Sequence, residues 1–559
     1  MMVLRQLGLA LLVPLVLGAS AGPISLELNG QPLPGAPLAD AWVPVWRLWP
    51  LGYAPELTRG DRVWTLPDDA QIPVKWQGNT ALIPADSLPA LGITVIRRAG
   101  ALSLQKTLAG SATWRVETDG ATCRLVWDTD APCAWRMRED DRHVYVDLGG
   151  VGGAWPESVP GQALLKGIQL KGTGPGTLQV DVERKYATPV HLESDGRHFV
   201  LEFDQFFQRS GRTDLPGGLQ YMWHQSASAD GPLTWHQLIV PPTSSYRVSP
   251  LTAQRNGRFT RQPVTRLASD AGAIAAVNAG YFSFKPELPI GLLVQGGQVL
   301  ASPIYNRSFL AWPDQGKPFL GKTQVSVELL ATSGQSAEID WVNYPRQRNS
   351  LAVYTDRFGE RTGTSADGPT WEIAVNADGR VEAADRNDQI IPAGGFVAAA
   401  QGPAATWLKR EFPVGALAAV KPKVDRIWPG LSEAVAGGPT LVRDGQVALT
   451  SVEEKFAADI TKGRAPRTGI GLHDDGTITL LVVDGRDAGY SIGMTLTEFA
   501  EQFRALGATQ ALNFDGGGSS TMVIQGRVVN RPSDGRERPV TTAIGLVAAP
   551  AVAKSANTR

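Results

Sequence analysis

Cysteine is almost absent: two residues, Cys123 and Cys133, in a chain of 559. That is too few for a disulfide-built scaffold, and two thiols alone do not complete a cysteine zinc site. Histidine is equally scarce, at six, and no pair of histidines has a metal-ligand spacing. Net charge is lacking too. The 53 basic residues balance 54 acidic ones, which argues against nucleic acid as a partner, because a duplex-binding protein carries a basic face. Long apolar runs are also missing. Beyond the first twenty residues no segment approaches the ~20 residues that cross a bilayer, so no transmembrane segment is expected once an N-terminal leader is removed.

What is abundant points to turn-rich β structure: 61 glycines and 40 prolines, with only 19% charged residues. The length exceeds what one core fills, so three or four domains are expected. Arg5, the apolar stretch Leu7 to Leu17, and Ala19-Ser20-Ala21 form the positive, apolar and small-residue regions of a secretory signal, here placed at 1–21. This predicts a secreted, periplasmic or cell-envelope protein. In such a compartment Cys123 and Cys133, read as lying on successive strands of one hairpin, are expected to form a disulfide.

Three zones follow. Residues 24–105 show short apolar strands, a short helical stretch, and Leu26-Glu27-Leu28-Asn29-Gly30-Gln31, where Asn-Gly after alternating apolar residues predicts a hairpin turn. This zone loosely resembles the small stalk domain of some secreted amine oxidases and cell-wall proteins. Residues 112–207 alternate apolar and polar positions repeatedly, as in Val144-Val146-Leu148 and Leu178-Val180-Val182, which predicts an all-β sandwich. It is similar to modules that tether envelope enzymes to glycan, so a cell-wall glycan contact is expected of the N-terminal modules. The glycine-rich stretch 208–218 reads as a linker, residues 219–547 as the third domain, and 548–559 as a flexible tail.

The chemistry concentrates in the third zone. Leu496, Phe499, Ala500, Phe503 and Leu506 recur at helical spacing behind the capping box Thr495-Leu496-Thr497-Glu498, with Gly507 placed to stop the helix. The strand Ala511 to Phe514 then delivers Asp515 to Gly516-Gly517-Gly518-Ser519-Ser520. Such a loop leaves backbone N–H groups free to form an anion-binding nest. Other polar groups also fall at strand ends: Asn278-Ala279-Gly280-Tyr281-Phe282, Gly437-Gly438-Pro439, Arg464 to Gly471, Asp484-Gly485-Arg486, Ser491 to Thr495 and Arg538 to Gly545.

Taken in order, these segments resemble the phosphodiester glycosidases related to the lysosomal uncovering enzyme, N-acetylglucosamine-1-phosphodiester α-N-acetylglucosaminidase. The resemblance covers about the last three-fifths of the chain. It implies cleavage of a sugar-1-phosphodiester at the anomeric carbon and an α/β domain around a mixed sheet. The whole chain is therefore expected to be multidomain, with a signal peptide and two small mainly-β modules before that domain. Residues 331–428 carry no motif that can be assigned.

On that reading the substrate is a glycan or another sugar phosphodiester. Asp515 is the first choice for supporting the oxocarbenium-like centre or activating water, and Asp484 the second. Asn278 would orient the sugar or the phosphate. Arg467, Arg464, Arg307 and Arg538, the amides of Gly516, Gly517 and Gly518, and the hydroxyls of Ser519 and Ser520 would bind phosphate. Glu498 is better explained by helix capping. No cofactor is required by the sequence, and an oxygen-ligated divalent cation stays open, with no metal site assigned. Two rivals are weighed. Gly489-Tyr490-Ser491-Ile492-Gly493 is a formal G-x-S-x-G, but no histidine follows His473 to serve it. The other is a non-catalytic, envelope-bound glycan-binding protein.

Overall fold

The structure is a computed structural model that describes residues 23–549 except 37, 39–40, 67–68, 99, 314–316, 322–325 and 424–430. The expected signal segment and residues 550–559 of the expected tail lie outside the described residues. The chain divides into two compact units, 1–206 and 207–559.

The first unit holds two separate cores. One gathers Leu26, Leu28, Leu48, Leu88, Ile93 and Leu104. Asn-Gly at 29–30 makes the expected turn, with Leu28 opposite Gln31 and both turn residues at positive φ, 49° and 84°. The second core lies between a four-stranded and a five-stranded antiparallel sheet. Val144, Val146 and Leu148 face it, and so do Leu178, Val180 and Val182, as the period of two requires.

The disulfide expectation is corrected here. Cys123 lies on the strand Thr122–Thr129 and Cys133 just before Ala134–Glu139, but these strands sit in different sheets. From Cys123 to Thr129 an extended chain advances about 20 Å, so the two cysteines lie near opposite ends of a strand. A disulfide requires Cα atoms closer than about 7 Å. Both thiols are free and buried, and burial pushes the Cys133 thiol up to about 11.

The second unit begins with a strand. Phe207–Asp214, read from sequence as part of a linker, pairs along its whole length with Gln220–Ser228. Glycine and charge suggested flexibility, but Gly211 is there because Trp223 lies across it; a Cβ would fall 2.3 Å from the indole nitrogen. Eight strands form the main sheet, in the order Phe207–Asp214, Gln220–Ser228, Gly231–Val240, Ile478–Val483, Arg467–Leu472, Gln510–Asn513, Thr440–Arg443, Gln446–Val447. Five more form a second sheet: Tyr246–Thr252, Thr542–Ala548, Ala275–Asn278, Met522–Ile524, Arg527–Val528. All described pairings in both are antiparallel. The mixed sheet expected from the resemblance is thus corrected to mainly antiparallel β structure. Ala548 closes the last strand, so the expected tail starts later than 548.

The main core joins these two sheets. Leu480 and Val482 point into it with Ile470, Leu512, Val277 and Ile544. Leu481 and Val483, one residue out of phase, face the helix Leu496–Ala505 through Phe499 and Phe503. That helix rests on bare backbone: a Cβ on Gly471 would lie 2.7 Å from the Phe503 ring, and one on Gly469 2.9 Å from Phe499. A shorter helix, Val264–Asp270, packs against strands of the five-stranded sheet. Between them in sequence, residues without an assignable motif build a separate core from Leu329, Val353, Ile373, Ala398 and Leu408. It combines a three-stranded and a five-stranded sheet with the helix Pro403–Glu411.

Candidate active site

Strand ends from the two sheets meet around Asn278, and its side chain joins them. Its Oδ1 accepts from Thr468 Oγ1 at 2.8 Å and from the Thr521 amide at 3.1 Å, while its Nδ2 donates to the Asp515 carbonyl at 2.6 Å. Asn278 is wholly buried and uses both ends of its amide, as a buried amide must. Asn278 is expected from its place at a strand end to orient substrate; in the structure it is wholly buried and positions the Asp515 backbone instead.

Asp515 leaves the end of the strand Gln510–Asn513 and keeps a small exposed surface. Burial pushes its carboxyl up to about 6, against the Ser519 hydroxyl, the Gly516 amide and the charges of Arg538 and Arg486, which hold it down. The glycine loop next to it is packed as well as open. A Cβ on Gly516 would meet the Pro466 carbonyl at 2.7 Å, on Gly517 the Arg486 guanidinium at 2.8 Å, and on Gly518 the Arg538 guanidinium at 2.0 Å. The expected amide nest is largely spent, however. The Gly517 amide donates to Pro466 O at 2.9 Å, and Gly516 faces Asp515. Ser519 accepts from Arg538 Nη1 at 3.4 Å, while the buried Ser520 hydroxyl has no partner.

The arginines sort differently from expectation. Arg467 is buried and donates to three carbonyls: Met494 at 3.0 Å, Ile460 at 2.8 Å and Gly463 at 3.1 Å. Arg464 pairs with Glu498 at 2.6 Å and Asp230 at 2.8 Å; Glu498 also completes the capping box at Thr495. Both expected phosphate ligands therefore hold loops. Arg307 lies 4.0 Å over the Phe456 ring and 5.6 Å from that of Tyr281, with one long bond to the Glu454 carbonyl at 3.4 Å. Arg538 is held by Asp534 at 2.8 Å beside the loop.

Asp484 is not an available base. Its carboxylate, 1% exposed, accepts from Asn530 Nδ2 at 2.9 Å, the Arg531 amide at 3.0 Å and Tyr490 Oη at 3.1 Å, with His236 Nε2 at 3.3 Å. Asn530 in turn binds Ser520 O at 3.1 Å and the Met522 amide at 2.7 Å. Asp484 thus anchors the segment that holds the glycine loop. Ser491 is equally closed: its Oγ donates to Asp484 O at 2.7 Å and accepts from the Thr234 amide at 3.0 Å. This removes the serine-hydrolase alternative.

Two residues were missed. Arg486 stands in the motif Asp484-Gly485-Arg486 and is exposed; no hydrogen bond joins it to a described residue. It adopts a φ of 66°, a left-handed conformation that is costly for a residue with a long side chain and recurs at functional sites. Asp534, which orients Arg538, is the other. Among the described residues no group of three or more His, Cys, Asp or Glu could hold a metal ion.

The family profile described as phosphodiester glycosidase matches residues 369–547. This part of the chain is related to the phosphodiester glycosidases. The match takes in the second half of the subdomain without motifs as well as every site strand from Thr440 onward. An uncharacterized SPbeta prophage-derived protein of Bacillus subtilis (strain 168), YomE, is 39% identical over 120 residues. Those residues are 22% of this chain, and the chain spans only 18% of that relative. Two solved structures share the fold at 20% identity each. A hypothetical protein from Synechocystis superposes over 94% of this chain and 98% of its own, with a TM-score of 0.56. A Burkholderia pseudomallei K96243 protein named as exported superposes over 78% and 97%, with a TM-score of 0.50. Around the matched segment, Asp515, Arg486, Arg538 and Ser519 come together, while Arg464, Arg467, Asp484 and Asn278 hold the surrounding backbone. Among the described residues no helix is long and apolar enough to cross a membrane.

Proposed function

We propose that this protein is an exported hydrolase that cleaves sugar-1-phosphodiester bonds of envelope or exopolysaccharide glycans, with Asp515 as the reacting carboxylate and Arg486 as the principal phosphate ligand. One observation carries the reading: a carboxyl pushed up to about 6 sits where a glycine loop and the one site arginine without a described partner converge. Water adds to the anomeric carbon and gives its proton to the Asp515 carboxylate. The C–O bond to phosphate breaks and its electron pair leaves with the phosphate. A phosphate oxygen is a good leaving group, so the protein's task is charge stabilisation rather than protonation. Arg486 and Arg538 supply that charge. Asp515 must be ionised to accept the proton, so kcat should rise with pH through about 6 and level off above it. The two N-terminal modules are assigned contact with cell-wall glycan.

The test is hydrolysis of an N-acetylglucosamine-1-phosphodiester by the whole chain, with release of free sugar as the readout. Arg486→Ala should raise KM for the phosphodiester by about tenfold or more, since a charge-assisted bond to phosphate contributes about 1.5–3 kcal/mol. Binding of sugar-1-phosphodiester without turnover at any pH would instead make the protein a glycan-binding module.

A further inference from the structure

Beside Arg486 lies a cleft of about 670 Å³, of whose lining the reaction as proposed uses that arginine alone. Two segments form its walls. One runs from Gly485 to Tyr490, the other from Asn530 to Glu537. Both start at Asp484, which binds Asn530 and the Arg531 amide. The second segment is fixed again at its far end, where Arg538 reaches Asp534 and Ser519. Between those ends it arches outward through a turn closed by the Gly535 amide on Pro532 O at 3.0 Å, with Gly535 at a φ of 74°. Arg536 is exposed at this arch.

The charges in the cleft are unevenly used. Its carboxylates are both occupied: Glu537 accepts from Thr265 through its amide at 3.0 Å and its hydroxyl at 2.7 Å, and Asp487 faces Arg531 at 3.9 Å. Arg531 also stacks over Tyr490 at 4.9 Å. Arg486 and Arg536 remain, one on each wall, with no hydrogen bond or ion pair to a described residue. The Ser533 hydroxyl, buried in the same wall, also lacks a partner. The lining carries three guanidinium groups, Arg486, Arg531 and Arg536, against the two carboxylates of Asp487 and Glu537; both carboxylates already have partners, so the excess positive charge on Arg486 and Arg536 suits an anion. Arg486 faces both ways, because its charge also acts on the Asp515 carboxyl.

We infer that this cleft is an aglycone subsite for a second anionic group, so that the substrate is a chain bearing another phosphate or carboxylate beyond the scissile phosphodiester. This rests on the hydrolase reading above for the position of the scissile bond. The sugar lies at Asp515, the scissile phosphate at Arg486, and the next anion at Arg536. A small neutral aglycone would leave the cleft empty.

The experiment compares two substrates with the whole chain: an N-acetylglucosamine-1-phosphate methyl diester, and the corresponding diester of glycerol whose far hydroxyl carries a phosphate monoester. The wild-type protein should prefer the second by about tenfold in kcat/KM at low salt, with the preference shrinking as salt is raised. Arg536→Ala should erase that preference and Arg536→Glu should reverse it. Equal kcat/KM for the two substrates, or a preference that survives both variants, overturns the inference. A parallel measurement separates this from failure of the hydrolase reading. Calorimetric binding of a phosphodiester-linked glycerol phosphate trimer should weaken about tenfold in Arg536→Ala. If neither substrate is hydrolysed but trimer binding depends on Arg536, the anion subsite stands and the hydrolase reading falls. Trimer binding that is absent or unaffected by both variants counts against the subsite.

Discussion

Replacing Asp515 with Asn separates a reacting carboxylate from a loop-capping one, because the two roles have opposite effects on stability. The carboxyl has an ordinary value of 3.8 and is raised by burial to about 6. For an acid raised in the folded state, the protonated form is favoured by folding. Below pH 4 both states are protonated and nothing is lost. Between about 4 and 6 the unfolded chain gives up the proton first, so stability falls, and above 6 the loss is complete. At about 1.4 kcal/mol per pH unit, ionising Asp515 costs about 3 kcal/mol, reduced to roughly 2 for its remaining contact with solvent. Asn carries no such cost. The stability of Asp515→Asn relative to wild type should therefore climb by roughly 2 kcal/mol between pH 4 and pH 7 in denaturant titrations of the whole chain. Its kcat on a sugar-1-phosphodiester should drop at least about a hundredfold. A stability difference that stays flat over that pH range, or turnover that stays near normal, would refute the reasoning and make Asp515 a structural residue.

Arg467→Ala should lower stability by about 3 kcal/mol or more, because three carbonyls lose a charged donor; chemical denaturation reads this, and a selective loss of phosphate affinity with normal stability would contradict it. Alkylation of the denatured, unreduced protein followed by mass measurement should find both Cys123 and Cys133 as free thiols. A fragment beginning at Phe207 should fold and stay monomeric, whereas one beginning at Leu215 should associate. It lacks the strand that covers Gln220–Ser228 and exposes a new sheet edge; light scattering distinguishes the two. Asp484→Asn should destabilise by about 3 kcal/mol, measured by denaturation, because four donors converge on a carboxylate that could no longer serve them all.

The parts of this molecule that were legible in its sequence depend on neighbours in the chain. The helix Leu496–Ala505 announces itself through a capping box and a spacing of three and four. Asn29-Gly30 requires positive φ at two successive residues and gets it. Asp515 was found because a strand pattern stops beside three glycines. Arginine partners cannot be read this way. The guanidinium of Arg464 finds Asp230, and Arg307 finds Phe456, through folding that brings distant segments together. Arg486 was named within a motif yet passed over, since nothing local distinguishes an arginine that keeps its charge free from one that gives it to a carbonyl. Strand direction was equally invisible: alternation fixes which side chains face inward but says nothing of the neighbour's polarity. The cysteines misled because ten residues of separation suggested one hairpin, while the turn between them crosses from one sheet to the other.

The order of the five-stranded sheet has a bearing on when the candidate site can form. Thr542–Ala548, the last described strand, lies between Tyr246–Thr252 and Ala275–Asn278, segments synthesised almost three hundred residues earlier. Until it arrives, Tyr246–Thr252 lacks its neighbour in that sheet and Ala275–Asn278 has Met522–Ile524 on one side only, so the strand that carries Asn278, and through it the Asp515 backbone, is held on one edge. A ribosome that has made nine-tenths of the chain has not yet made the candidate site, and a stop codon anywhere before Thr542 should be as damaging to it as one in the glycine loop.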